Sequence, residues 1–283
     1  MKAILLPTDF SNNSVNAIHY AMRMFKDDIC EFYILNIQKA SSFISDDMLV
    51  VPSTATLYNT LVGAAKKSIE NLISNLKKEY KNNKHAFHSL VDYDNFVDSI
   101  NQITEQHNID LIVMGTHGAS GLKKMLFGSN TVHVIKRCKV PVLVIPDNCK
   151  FRSLDSVGFT SSFKSKYSEA DFKFLKALLI AHRSHLHVMH VIQADNGEMT
   201  LNQNVDFFKT HFDKVSINRI AEHTDSVYDG IHEFAETHRL KLIVMLSKTH
   251  SFLNRLFSEY RVETFAFKID LPLLVLKQRD LDK

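Results

Sequence analysis

The sequence lacks the features that mark membrane, secreted and metal-binding proteins. None of its apolar runs approaches the ~18 residues that a membrane-spanning helix needs, so we expect no membrane partner. It has only 3 cysteines among 283 residues, scattered without the spacing of metal ligands, which is typical of thiols in a reducing cytoplasm. Residues 1–7 resemble a β-strand rather than a signal peptide. We therefore expect a cytoplasmic protein.

The chain also lacks a large excess of positive or negative charge. The chain has 34 Lys+Arg against 31 Asp+Glu, which leaves a formal net charge of +3. So small an excess argues against a nucleic-acid partner. Hydrophobic residues make up 45% and charged residues 23% of the chain, as in ordinary globular domains. The length predicts about two domains.

Glycine is scarce, and its positions are informative. Four of the 8 glycines lie between positions 115 and 128. The apolar run 111–114 leads into this cluster, and Ser129 and Thr131 follow it, which predicts a strand, a turn, a loop and a helix start. Glycine lets a ligand approach backbone N–H groups without a Cβ, and a helix start offers unpaired N–H donors to an anion. The pattern favours a nucleotide phosphate; the alternative is a turn that serves only the fold.

The chain contains an internal repeat. Residues 111–114 recur as 242–245 and residues 141–145 recur as 272–276, both at an offset of 131. The segment 5–11 recurs as 157–163 at an offset of 152, so the second copy is shorter by 152 − 131 residues. We expect the missing length within 38–67. A duplicated domain, with copies at 1–147 and 151–283, is the simplest interpretation.

Strands and helices alternate in the first copy. The apolar spacing predicts strands at 3–7, 31–37, 85–91, 111–114 and 140–145, and helices at 14–25, 57–80, 96–107 and 129–137. Such alternation predicts an α/β protein with two tandem doubly wound, Rossmann-like domains, each with a parallel five-stranded sheet. Ligands of such sheets bind beyond the carboxyl ends of the strands. We therefore expect Thr8-Asp9, Asn36-Ile37 and Gly115 to gather at one edge.

These motifs resemble the universal stress protein family. Its nucleotide-binding members carry G-x2-G-x9-G-[S/T], and Gly115, Gly118, Gly128 and Ser129 fill that pattern. Residues 7–11 are similar to the family's first strand and turn, and residues 140–144 to its last strand. The resemblance implies a tandem universal stress protein with an adenine nucleotide alpha hydrolase-like fold. It further implies that the first domain binds ATP, with AMP or ADP as alternatives and Mg²⁺ accompanying the nucleotide.

The resemblance also assigns roles along the first copy. The adenosine end is expected against Pro7, Thr8, Asp9 and Ile37, with Asn36 beside Ile37. The ribose is expected beside Met114 and Gly115. The phosphates are expected on Gly118, Gly128, Ser129, Asn130 and Thr131, with Lys123 and Lys124 as weaker candidates. No catalytic residue and no metal site are predicted. For Asp9, an alternative is that it caps the following helix.

The second copy departs from the motif. At the offset of 131, Gly115 becomes Leu246, Gly118 becomes Thr249 and Gly128 becomes Glu259, while Asp9 becomes Ser161 at the offset of 152. A carboxylate would repel phosphate, and side chains would block a close approach to the backbone. We expect no ATP there. The second copy is predicted to be a built-in dimerisation partner, its strand 272–276 facing the last strand of the first copy.

The histidines invite a metal interpretation. His182, His185, His187 and His190 are close in sequence, but His185 and His187 alternate along a predicted strand, with His190 on the opposite face. We therefore expect no metal site there.

Three functions compete. The first is a nucleotide-responsive stress or signalling module that binds an adenine nucleotide and unidentified protein partners, as an intrachain pair or a further homodimer. The second is a slow ATPase or autokinase, although the sequence lacks G-x4-G-K-[S/T]. The third is a scaffold that has lost its ligand. The sequence favours binding over turnover.

Overall fold

The structure is a computed structural model that describes residues 1–38, 54–93, 95–116, 128–161, 167–191, 198–220, 227–247 and 271–278. These residues divide into two compact units, and the division falls between Val142 and Leu143. The domain limits 1–147 and 151–283 stay predictions. Within the described ranges, no helix combines the length and apolar character needed to cross a membrane.

The first half of the chain, taken as residues 1–145 so that it includes the whole strand at which the division falls, alternates strands and helices as predicted. Its elements are β1 (Lys2–Pro7), α1 (Asn12–Met24), β2 (Cys30–Ile37), α2 (Thr54–Tyr80), β3 (His85–Asp92), α3 (Phe96–Gln106), β4 (Leu111–Gly115), α4 (Ser129–Arg137) and β5 (Val142–Ile145). Each predicted element is confirmed to within a few residues at its ends.

The central strands are apolar on both faces because helices cover both. In β1, Ile4, Leu5 and Leu6 are each 1% exposed or less, the pattern of a strand buried in a parallel sheet. Helix α1 begins after Ser11, whose side chain accepts a hydrogen bond from the Ser14 N–H.

The strands of the first half pair in parallel around β1. Strand β1 pairs with β2 over its whole length, from Lys2 opposite Cys30 to Pro7 opposite Leu35. On its other side it pairs with β4, with Ile4 opposite Leu111. Strand β3 lies outside β2. The chain therefore leaves β1 towards one side and returns on the other, which opens a crevice at the carboxyl ends of β1 and β4.

The second half repeats this plan. Its elements are β6 (Ser156–Ser161), α5 (Glu169–His182), β7 (His185–Val191), α6 (Glu198–His211), β8 (Val215–Ile220), α7 (Val227–Thr237), β9 (Leu242–Ser247) and β10 (Leu273–Lys277). The strands run in the order β10-β9-β6-β7-β8, so β6 lies between β7 and β9 as β1 lies between β2 and β4. Helix α2 has 27 residues and α6 has 14, which confirms the predicted location of the missing length.

The strand register corrects the sequence alignment of the two halves by one residue. Ile4 lies opposite Leu111, and Val157 lies opposite Leu242. Because Leu111 and Leu242 are equivalent, Val157 matches Ile4 at an offset of 157 − 4 = 153. Ser161 therefore matches Thr8, and the predicted match with Asp9 is wrong. A strand buried on both faces has no alternating pattern, so its sequence tolerates such a shift.

Candidate functional site

Residues from neighbouring strands meet at the carboxyl edge of the first sheet, as predicted. The Thr8 N–H donates to the carbonyl of Leu35 at 2.8 Å, which continues the pairing of β1 with β2. The Asn36 side chain donates through Nδ2 to the carbonyl of Thr8, also at 2.8 Å. Asn36 is 4% exposed and Thr8 is 6% exposed. These buried bonds fix the backbone where the crevice begins.

A compact turn joins β1 to α1. The hydroxyls of Thr8 and Ser14 lie 2.9 Å apart, and the Phe10 N–H donates to Thr8 Oγ1 at 3.0 Å. Asp9 accepts from the Ser11 N–H through Oδ1 at 3.1 Å. The exposed Asp9 carboxylate is thus held by the turn. The alternative that Asp9 caps α1 is wrong, because Ser11 is the N-cap.

Gly115 ends β4 against a side chain of α1. A Cβ on Gly115 would lie 2.8 Å from Asn13 Cγ and Oδ1, closer than real Cβ contacts come. Asn13 also approaches the neighbouring residue, with its Nδ2 3.4 Å from the Thr116 hydroxyl. The bare backbone of Gly115 therefore accommodates Asn13, a neighbour that the glycine pattern did not indicate.

The start of α4 is tied to the end of β4. The Gly128 N–H donates to the carbonyl of Thr116 at 2.7 Å. The Thr131 hydroxyl lies 3.2 Å from the carbonyls of both Gly115 and Thr116, to which it donates. Thr131 is 2% exposed, so its hydroxyl holds α4 on the sheet edge. Its role as a phosphate ligand stays a prediction.

The first turn of α4 presents backbone donors. Gly128 is the N-cap with φ −56° and ψ 149° and has no side chain that could cap the helix, and the first turn of α4 has no acidic residue. Ser129 and Asn130 are exposed. The N–H groups of a first helical turn have no partner within the helix and carry partial positive charge. This end of α4 therefore suits an anion.

The remaining predicted residues lie along the same edge or outside the described residues. Ile37 ends β2, opposite Asp92, and is partly exposed. Met114 is 6% exposed at the end of β4, and Pro7, the last residue of β1, is buried. Gly118 lies outside the described residues, as do His117, Lys123 and Lys124.

Sequence reasoning missed Ser11, Asn13, Ser14 and Thr116. The signal was present as a run of capping residues at 11–14 directly after a buried strand. Such residues favour helix starts and local backbone bonds. Their meeting with Gly115 and Thr116 was hidden because Asn13 and Thr116 are 103 positions apart.

The equivalent edge of the second half holds bulkier side chains. Leu246 stands at the position of Gly115 and is 8% exposed. Ser161, at the position of Thr8, shares a hydrogen bond with the hydroxyl of Tyr167. The Tyr167 ring packs edge-on against Phe172 at 5.4 Å. Burial raises the pKa of Tyr167 to about 12, so it stays a neutral phenol here.

His190 lies beside Ser161 in the second half, as Asn36 lies beside Thr8 in the first. Ser161 pairs with His190 across β6 and β7, and the His190 ring is hydrogen-bonded to the backbone of Ser161. Burial lowers the pKa of His190, and the nearby Arg219 lowers it further, against the opposing effect of that bond. The second half therefore preserves the backbone of this edge with different side chains.

Comparison with known proteins identifies the class. Residues 1–146 match the model of the universal stress protein family. The match covers just over half of the 283 residues, so the chain belongs to this family.

Individual relatives agree with this assignment. The chain is 29% identical over 154 residues to universal stress protein MJ0577 of Methanocaldococcus jannaschii, an alignment that covers 51% of this chain and 94% of that protein. It is 30% identical over 144 residues to universal stress protein MJ0531 of the same organism, covering 51% and 81% respectively. Each of these relatives therefore matches about half of the chain.

A solved structure is similar over nearly the whole chain. The crystal structure of a universal stress protein from Archaeoglobus fulgidus superposes with a TM-score of 0.70 at 20% identity, covering 98% of this chain and 97% of that one. The predicted α/β, Rossmann-like fold is confirmed.

Proposed function

We propose that the carboxyl edge of β1, β2 and β4 binds ATP and that the protein is a nucleotide-responsive stress or signalling module. One observation carries the proposal. The first turn of α4, which follows a glycine N-cap and has exposed Ser129 and Asn130, is hydrogen-bonded to the end of β4 beside the crevice. We infer that one ligand spans both places, with its anionic end at α4 and an uncharged group in the crevice.

The polarity of this edge supports a molecule with two unlike ends. Thr8, Asn36 and Met114 are buried, while the Asp9 carboxylate and Ile37 reach the surface. A carboxylate that accepts hydrogen bonds suits the hydroxyls and amino group of adenosine, and Ile37 offers apolar contact to a base. The phosphates then extend to α4, where N–H groups and the helix dipole favour negative charge.

Equilibrium binding tests the proposal. Full-length chain that has been unfolded, stripped of bound ligand and refolded is titrated calorimetrically with ATP, ADP and AMP. We expect saturable binding of ATP. Gly128→Glu should weaken it by on the order of tenfold or more, because a carboxylate at the N-cap would compete for the N–H groups of α4. The φ of −56° at Gly128 permits this side chain.

Gly63→Glu is the matched control. Gly63 lies within α2, and nothing comes within 4 Å of a Cβ built there, so the same charge is added away from the edge. ATP affinity should be unchanged. No measurable ATP binding, or equal losses in the two variants, would refute the proposal. The remaining hypothesis would then be a scaffold that has lost its ligand.

Turnover is a separate question. Sustained phosphate release with Mg²⁺ and excess ATP would indicate a slow ATPase, and labelled protein would indicate an autokinase. We propose binding without turnover, with the nucleotide state controlling affinity for protein partners. The pairing of the two halves, a further homodimer and a cytoplasmic location stay predictions. Sedimentation of the full chain measures its oligomeric state.

A further inference from the structure

A cavity of about 210 Å³ lies in the second half. It opens where α5 and α6 end, next to Ser184 and Lys214, which directly precede β7 and β8. It is therefore at the amino edge of this sheet, the edge opposite to the one equivalent to the proposed nucleotide site. Its walls combine apolar and cationic side chains, and we name it the amphipathic cavity.

The apolar part of the amphipathic cavity comes from three side chains. Leu179 and Phe212 are 7% and 6% exposed and form its inner wall. Ile180 lies on the rim and is 66% exposed, one of few large apolar side chains at the surface of the described residues. Exposed apolar surface next to a cavity favours a ligand with an apolar body.

The charged part has an excess of cations. Lys176, Arg183 and Lys214 line the cavity together with one carboxylate, Asp213. Within the described residues, none of the three cations has an ion-pair partner. Two helix ends carry about half a negative charge each, so these ends and Asp213 balance about two of the three positive charges. The remaining charge favours an anion.

His211 also lines the cavity, but it is not available to bind the anion. Its Nε2 lies 3.1 Å from Glu169 Oε1, and its Nδ1 lies 2.8 Å from the Phe207 carbonyl. Both ring nitrogens are therefore engaged outside the cavity.

Ser184 lines the cavity, and its hydroxyl oxygen is buried behind the wall. It is 5% exposed, and among the described residues its Oγ has no hydrogen-bond partner. A buried polar group without a partner is destabilising. If the Ser184 side chain turned towards the cavity, a ligand oxygen at the wall would complete this bond.

We propose that the amphipathic cavity binds a small amphipathic anion, a carboxylate with an aliphatic body. The aliphatic part packs on Leu179, Ile180 and Phe212. The carboxylate lies among Lys176, Arg183 and Lys214 and accepts from the Ser184 hydroxyl. The second half would then be a ligand-binding unit in its own right, independent of a nucleotide in the first.

Octanoate is the test ligand, and isoleucine methyl signals are the readout. Full-length chain with ¹³C-labelled isoleucine δ1 methyl groups is titrated with octanoate and, separately, with octan-1-ol. We expect a saturable shift of the Ile180 signal with octanoate and a much weaker effect of the alcohol. Ile29, 60% exposed in the first half, is the internal control and should not shift. Ile180→Leu removes the signal and so assigns it.

Variants test the charge and the hydroxyl. Lys176→Gln should weaken octanoate binding roughly two- to fivefold, as expected for an exposed charge. Lys173→Gln, which removes an exposed lysine of α5 outside the cavity wall, should leave it unchanged. Ser184→Ala should weaken binding without lowering the thermal stability of the free protein, because the free hydroxyl has no partner to lose.

Three results would overturn the proposal: no saturable shift of Ile180, equal shifts with octan-1-ol, or equal losses in Lys173→Gln and Lys176→Gln. The same titration with Gly128→Glu separates the two sites. That variant should keep octanoate binding whether or not the first half binds ATP.

Discussion

The Asn13 carboxamide occupies the space in which Gly115 would carry a Cβ, with Asn13 Cγ 2.8 Å from that position. This contact joins the second residue of α1 to the last residue of β4 across the mouth of the crevice. A Cβ at Gly115 would therefore displace the Asn13 side chain. Any contact with a ribose would be additional.

Replacing Gly115 with alanine tests this relationship. Gly115→Ala should lower the free energy of unfolding by roughly 1–3 kcal/mol, as for other overpacked sites, because the Asn13 side chain must move away from Thr116. Asn13→Ala opens the space again. In the double variant, the loss of unfolding free energy should therefore be smaller than the sum of the losses in the two single variants. Urea denaturation of the four proteins measures this coupling.

Gly63→Ala is the control for the same substitution. Gly63 lies in α2 with open space around it, so alanine should raise stability by up to about 1 kcal/mol. Strict additivity of Gly115→Ala and Asn13→Ala would contradict the contact.

Substitutions at Thr131 and Ser129 should have different effects, the first on the stability of the fold and the second on ATP binding. Thr131→Val removes the hydroxyl that donates to the Gly115 and Thr116 carbonyls and should cost about 1–2 kcal/mol of stability. Ser129→Ala, at an exposed position of the same turn, should change stability by less than about 0.5 kcal/mol but reduce ATP affinity. Thermal unfolding and calorimetry measure the two effects. A destabilised Ser129→Ala with unchanged affinity would contradict this division.

The fold could be predicted from the sequence because the local signals for strands and helices agree with the parallel topology of the whole sheet. Buried strands such as β4 are continuous apolar runs, and α1 follows capping residues. The gathering of Thr8, Asn36 and Gly115 at one edge followed from the parallel topology alone.

Contacts between distant residues and the register of buried strands could not be predicted. The glycine cluster indicated open backbone but not that Asn13 fills the space at Gly115. Nor did the sequence indicate that the Thr131 hydroxyl donates to the carbonyls of Gly115 and Thr116. The histidines show the same limit, because the sequence separated His190 from His185 and His187 but did not indicate that the His238 ring lies 5.2 Å from that of His187.

The cluster of His185, His187 and His238 predicts acid sensitivity of the second half. Burial is the main cause that lowers the pKa of His187, and with the added effect of His185 and His238 it reaches about 4. The unfolded chain, with an ordinary histidine pKa near 6.5, binds the proton first as the pH falls. The contribution of His187 to stability is therefore complete above pH 6.5 and is lost progressively towards pH 4.

His187→Gln should make this decline shallower. Urea midpoints between pH 7 and pH 4 measure the slope, and His133→Gln, an exposed position in α4, should leave it unchanged. Part of the slope should persist, because burial also lowers the pKa values of His19, His85 and His190. A slope identical in wild type and His187→Gln would contradict the role of this cluster.

The chain should bind one nucleotide rather than two. In the second half, the buried Leu246 replaces Gly115, and Ser161 is engaged with Tyr167. Calorimetric titration with ATP should therefore give a stoichiometry of one per chain. Two equivalent sites, or binding that survives Gly128→Glu at full strength, would contradict the loss of the second site.

A crystal structure of the full chain grown with ATP is the most direct test of the proposed nucleotide site. The phosphates should lie within hydrogen-bonding distance of the backbone N–H groups of Ser129 and Asn130, with the adenosine against Asp9 and Ile37. Nucleotide density beside Ser161 and Leu246 instead, or none at the carboxyl edge of β1 and β4, would contradict the proposal.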